Sequence, residues 1–165
     1  MKESTRHIVF VDPGFAIERR PSEMFTAPVS QDRLILVWTK TALMVNPGIA
    51  VGYVHVEVEA LQEEPARSWA PWDDVSEASV DGTIDAGPVW IIDATDSYGA
   101  VVSEESGPVR VRVHGRGRAA NFDGVDSEPR EEYLLQCWPA DYGPLATLKA
   151  TTDYGGTGNG DDESS

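Results

Sequence analysis

Arg110, Arg112, His114, Arg116 and Arg118 all fall at even positions of one short stretch, VRVRVHGRGR over residues 109–118. They alternate with Val109, Val111 and Val113, the period-two pattern of a strand with one face in a core and the other toward water. On a straight strand, at roughly 3.4 Å per residue, the guanidinium groups would line about 27 Å of a sheet face. That arrangement suits an anionic ligand: forked donors in a row, with main-chain amides around Gly115 and Gly117 to add to them. The competing expectation is cross-strand ion pairing with Glu128, Glu131 and Glu132, which return at the right distance along the chain to lie alongside.

A second group has the opposite sign. Residues 68–109 hold nine carboxylates and no Lys or Arg. Trp69 and Trp72 sit there in a Pro-broken loop, next to Asp73, Asp74 and Glu77. Exposed aromatics in an acidic loop serve as interface anchors, so these five residues form a candidate partner-binding set. The bland alternative for the tryptophans is a lid folded over the end of the core.

Other chemistry is weakly supported. Asp73, Asp74 and Glu77, or Asp93 and Asp96, offer oxygen ligands, but neither group has the spacing of a calcium loop. His7, His55, His114 and a single cysteine give no zinc spacing, so no metal or cofactor is expected. His55 or His114 beside a carboxylate would make a general base, yet nothing in the spacing selects one. Nucleophile-elbow, Walker and dinucleotide-binding motifs are absent, which favours binding over catalysis. Cys137, in an apolar run with no adjacent cation, reads as a small buried hydrophobe.

The 165-residue chain carries 28 acidic and 13 basic residues, a formal charge of −15. That argues against direct binding to nucleic acid or to anionic membranes, both of which need cationic surface. The N-terminal residues lack the apolar run of a signal peptide or membrane span, so a cytoplasmic location is expected.

The elements that must position these groups read as short strands. Residues 7–11 and 15–18 flank an Asp-Pro-Gly turn of expected type II. Residues 20–30 form a loop and 33–45 read as one long central strand, with helix the alternative for the second half. In 49–61, Val54, Val56 and Val58 alternate with His55, Glu57 and Glu59. Residues 73–78 suit one or two helical turns. One or two further strands follow over 80–93, then others over 98–102, 109–114 and 131–138. Seven or eight strands, spaced about ten residues apart with turn signals between them, indicate an all-β fold, an antiparallel sandwich or jelly-roll-like barrel. The expected organisation is one such domain over residues 1–152 and a disordered acidic tail over 153–165.

The segment HGRGR, an acidic loop and EPREEYLLQCWPA (His114 to Ala140) resembles short uncharacterised actinobacterial proteins in which an R-G-R strand end precedes E-x-Y-L-x-Q-x-W-P; that family implies no activity. In layout the chain also resembles the competence protein J nuclease inhibitors, acidic β-proteins with mid-chain tryptophans (Trp69, Trp72) and a late Cys-Trp strand end (Cys137, Trp138). The expected function is therefore non-enzymatic: an acidic binding protein, an immunity protein or inhibitor of a basic partner such as a nuclease toxin. The alternative is a sandwich that holds a small anion, or an enzyme, at the arginine stripe.

Overall fold

The computed structural model describes residues 3–19, 28–82 and 87–152, and among these it contains strands and no helix. The alternating segments form strands β1 (Glu3–Val11), β2 (Phe15–Arg19), β3 (Ser30–Gln31), β4 (Ile35–Thr39), β5 (Ala42–Val45), β6 (Val51–Ala60) and β7 (Asp74–Val80). They continue with β8 (Val89–Ile92), β9 (Tyr98–Ser103), β10 (Val109–Arg116), β11 (Val125–Asp126), β12 (Glu132–Pro139) and β13 (Ala146–Ala150). Thirteen strands replace the expected seven or eight, in part because β3 and β11 are two-residue pairings with no sequence signature. Residues 33–45 are a hairpin rather than one strand: β4 and β5 pair antiparallel across Lys40-Thr41. Residues 74–80 are strand, not helix, since Asp74, Ser76 and the rest of β7 pair with β10 and β13 on either side. Gly14 lacks the positive φ that the third position of a type II turn requires, so the first turn is not type II. The tail 153–165 and most of the 20–30 loop lie outside the described residues.

Two sheets result. One has the order β1-β6-β12-β10-β7-β13, with β11 also on β6; the other runs β3-β4-β5-β2-β8-β9. Pairing is antiparallel except where β11 and β12 run parallel to β6. Both sheets are open, which makes the fold a sandwich and excludes the barrel. Val54, Val56, Val58, Val109, Val111, Val113, Leu135 and Cys137 from the first sheet meet Phe15, Ile17, Ile35, Val37, Leu43, Val45, Val89 and Ile91 from the second in one buried cluster. Each such side chain contributes about 1.5–3 kcal/mol on leaving water.

The connection from β6 to β7 has to travel far. Since β6 parallels β12, and β12, β10 and β7 alternate in direction, β6 and β7 are parallel and separated by two strands. Residues 61–73 must return the length of the sheet and cross it. The inner face is filled by the second sheet, so the connection crosses the outer face, over the side chains of β10 and β12. It forms a strap.

At Gly52 the backbone of β6 meets β11 with φ +141°, and a Cβ there would lie 2.0 Å from the Asp126 carbonyl oxygen. Gly52→Ala should lower the urea midpoint by the equivalent of about 2–4 kcal/mol. An unchanged midpoint would mean that β11 is not held against β6.

Candidate functional site

Antiparallel pairing of β10 with β12 sets Arg110 opposite Trp138, Arg112 opposite Gln136, His114 opposite Leu134 and Arg116 opposite Glu132. On the other side β7 sets Ser79 by Arg110, Glu77 by Arg112 and Val75 by His114. The even positions of β10 do share the outer face, as the alternation requires. Most of them do not face water: Arg110 is 8% exposed, Arg112 0% and His114 2%, while the Arg116 side chain at the strand end is 39% exposed.

The strap covers Arg112 and His114. The Arg112 guanidinium lies between two indoles, 5.2 Å from the Trp69 ring centroid and 4.8 Å from that of Trp138. Its Nε donates to Glu77 Oε1 (2.9 Å) and Nη2 to Glu64 Oε2 (2.7 Å). Arg110 takes the other oxygen of the same carboxylate, Nε to Glu77 Oε2 at 2.8 Å, and donates to Ser79 Oγ and the carbonyls of Gly143 and Pro144. The His114 ring packs 5.5 Å from Trp72 and 6.1 Å from Trp69, with Nδ1 3.1 Å from the Leu134 carbonyl. Arg116 lies 4.7 Å over Trp72 and pairs with Glu132. Trp138, Arg112, Trp69, His114, Trp72 and Arg116 thus form a continuous row of contacts in which each guanidinium lies against an indole and a tilted imidazole joins the two strap tryptophans. A desolvated contact of this kind contributes up to about 2 kcal/mol.

Beyond the strand end, Arg118 donates to Asp74 Oδ2 (2.7 Å) and to the carbonyls of Arg33 and Asn46. Asp74 also accepts from Thr151 and Thr152. Burial raises its pKa, but the bonds from Thr152 and Arg118 outweigh that and hold the carboxyl below the usual range. The Gly117 amide, expected among the anion-binding groups, donates to Asp73 Oδ2 at 3.0 Å.

The two candidate sets are therefore one structure. Trp69, Trp72, Asp73, Asp74 and Glu77 are not a free acidic surface; every one of them rests on a member of the arginine stripe or on the Gly117 amide. Ion pairing of the arginines is present with a changed set of acids. Of the three expected partners, Glu132 pairs with Arg116. Glu131 is buried, accepts the amides of Gly48 and Ile49 and the Tyr133 hydroxyl, and has a pKa raised by desolvation. Glu128 is exposed. The tryptophans do form a lid, over the outer face of a sheet instead of the end of the core. Sequence reasoning missed Glu64 and Trp138. Trp138 was within reach, because the hairpin register puts it in phase with Arg110. Glu64 was not, because its place depends on the crossover.

No family model matches the chain, and no curated protein matches it. Among solved structures it is similar to crocagin biosynthetic gene J, with a TM-score of 0.56 and 12% identity over 86% of this chain and 99% of that one. At that identity the likeness is one of fold alone.

Glu77→Ala strands two buried guanidinium groups at once and should cost about 3–5 kcal/mol in chemical unfolding. Glu64→Ala, at an exposed carboxylate, should cost under about 1 kcal/mol; equal effects would show that the shared carboxylate is not the centre of the pairing. Desolvation, with a smaller push from Arg112, lowers the His114 pKa from 6.5, against the Leu134 carbonyl and the charges of Glu59 and Glu77. The folded ring stays neutral where the unfolded ring takes up a proton, so acid favours unfolding and stability falls as pH drops below about 6.5. His114→Gln should flatten that part of the denaturation-midpoint profile between pH 7.5 and 5.5, and a profile identical to that of the unmodified protein would refute the assignment.

Proposed function

We propose that the protein is a non-enzymatic binding protein whose acidic surface meets a basic partner, in the manner of an immunity protein or an inhibitor of a cationic target such as a nuclease toxin. The observation that carries this reading is the internal neutralisation of Arg110, Arg112, Arg116 and Arg118. With those cations held by Glu77, Glu132 and Asp74, the chain's charge of −15 has no broad cationic strip to offset it among the described residues. Exposed carboxylates remain at Glu63 on the strap and at Glu104 and Glu105 between β9 and β10. Glu104 and Glu105 border an open groove of about 440 Å³ beside Leu61 and Gln62. Such a surface steers a cationic protein and competes for a site built for nucleic acid.

A cytoplasmic setting belongs to the same reading. Cys137 is buried and free, and desolvation pushes its pKa up to about 12, so the thiol plays a packing role in a chain with no second cysteine. No helix among the described residues is long and apolar enough to cross a membrane. The alternative, an anionic ligand on the arginine stripe, would have to displace Trp69 and compete with Glu77 for Arg112, and no observation favours it.

The test is capture from a lysate of the native host on immobilised protein. A basic protein retained at low salt, released at high salt, and bound about tenfold more weakly by the Glu63→Gln/Glu104→Gln/Glu105→Gln variant is the expected result. Retention indifferent to both salt and the triple variant, or no basic protein at either salt, would overturn the proposal.

A further inference from the structure

The sandwich has four sheet edges, and three are blunted in ways that discourage strand pairing. β3 is two residues long. β13 shifts register between Thr147 and Lys149, and carries that lysine. β9 shifts register twice along β8. The fourth edge, β1, is nine residues of unbroken register from Glu3 to Val11, with no proline, lysine or bulge.

Which groups this edge presents is set by two bonds. The Phe10 carbonyl accepts from Ala94 N, away from β6, and His55 N donates to Glu131, so that His55 turns its main-chain groups from its partner Ile8. The N–H and C=O groups of Ser4, Arg6 and Ile8 therefore point outward, with no hydrogen bond to any described residue. The Ile8 side chain is 61% exposed. Directly beside this edge, where β1 and β9 flank the open side of the sandwich, lies a groove of about 170 Å³ lined by His7, Ile8, Val9, Ile91, Asp93 and Ala100. That is below the roughly 300–1,000 Å³ of small-molecule pockets and on the scale of a single side chain. Its walls are mostly aliphatic and its one carboxylate is Asp93, whose Oδ1 accepts from Thr95 and from the Ser97 amide.

We infer that β1 is a strand-addition site for an extended cationic segment of a partner protein, which pairs along Ser4, Arg6 and Ile8 and lays a lysine or arginine stem in the groove with its charge at Asp93. An apolar stem under a charged head is how these side chains cover mixed surface, and main-chain pairing with pockets for alternate side chains is how strand addition gains specificity. A second copy of this chain is the less fitting occupant, since each brings a charge of −15. The inference deepens the acidic-binding reading and rests on it for the sign of the partner's charge.

A fluorescein-labelled peptide of alternating lysine and valine, followed by anisotropy on the full chain, tests it. The peptide should bind; N-methylation of alternate residues, which removes outward donors, should weaken binding at least about tenfold. Arg6→Pro should do the same with little change in unfolding midpoint, because the Arg6 N–H points away from β6 and an edge strand tolerates proline there. Should that variant not fold, the N-methylated peptide on the unmodified protein still decides. No binding, or binding indifferent to both N-methylation and Arg6→Pro, would overturn the site; if the indifferent binding is lost at high salt, the acidic-surface reading survives it. Equal binding of a serine–valine peptide would overturn the cationic occupant and count against the acidic-surface reading as well. A dimer of the free protein abolished by Arg6→Pro would assign the edge to a second copy and overturn the proposal.

Discussion

The carboxylate of Glu77 holds two guanidinium groups at once, Arg110 on one oxygen and Arg112 on the other, under a cover that leaves Arg112 without solvent. Removing two cations and a carboxylate from water is unfavourable unless every donor finds an acceptor. Here further donors of the two groups reach Ser79, Glu64 and the carbonyls of Pro65, Gly143 and Pro144. Apart from Ser79, those acceptors sit in the strap and in the chain leading to β13, so the demand for partners fixes where both connections lie. The Arg112 guanidinium carbon also lies over the rings of Trp69 and Trp138, which add cation–π contacts to the hydrogen bonds. Without the crossover from β6 to β7 neither the Trp69 ring nor the Glu64 carboxylate would arrive, and the outer face of β10 would be the open cationic strip that its alternation suggests.

The same device recurs where the sandwich has to organise long connections without helices. Arg19, 2% exposed at the end of β2, donates to the carbonyls of Asp81, Gly87, Glu105 and Gly107, gathering two connections at one end of the sandwich. Arg118 does this for Arg33 and Asn46 while paired to Asp74. Loop carbonyls near a core need donors as much as strand carbonyls do, and a guanidinium supplies five donors in a planar fork. Burial lowers the Arg19 pKa, and the charges of Asp81 and Glu105 oppose that shift. A chain with few basic residues has placed four of its arginines inside.

Period-two alternation is a local property, and it was legible: Val54, Val56 and Val58, and Val109, Val111 and Val113, face the core as their spacing requires, and the pairing of β10 with β12 follows the turn residues between them. What covers the far side of a strand is not local. The spacing of Arg110, Arg112 and His114 fixes which way they point, and is silent on whether a connection passes over them. The acidic bias of residues 73–77 misled for the same reason, since a carboxylate facing a buried arginine and one facing water look alike in a sequence. Lys40-Thr41 carries neither glycine nor proline, so the break between β4 and β5 had no turn signature to show.

Charge segregation along the chain thus has two separate outcomes. In the middle of the first sheet it becomes complementarity: the cation-free stretch and the arginine stripe are neighbours in space because β7 and β10 are neighbours in the sheet, and their charges cancel where the dielectric is low and pairing is strongest. At the ends of the sandwich, Glu63, Glu104 and Glu105 belong to connections with no opposing strand, and there the excess of carboxylates stays in water. Net charge resides where topology supplies no partner. A protein built this way uses Arg19, Arg110, Arg112 and Arg118 as internal fasteners and leaves Glu63, Glu104 and Glu105 in water at its rims, away from the conspicuous arginine strand.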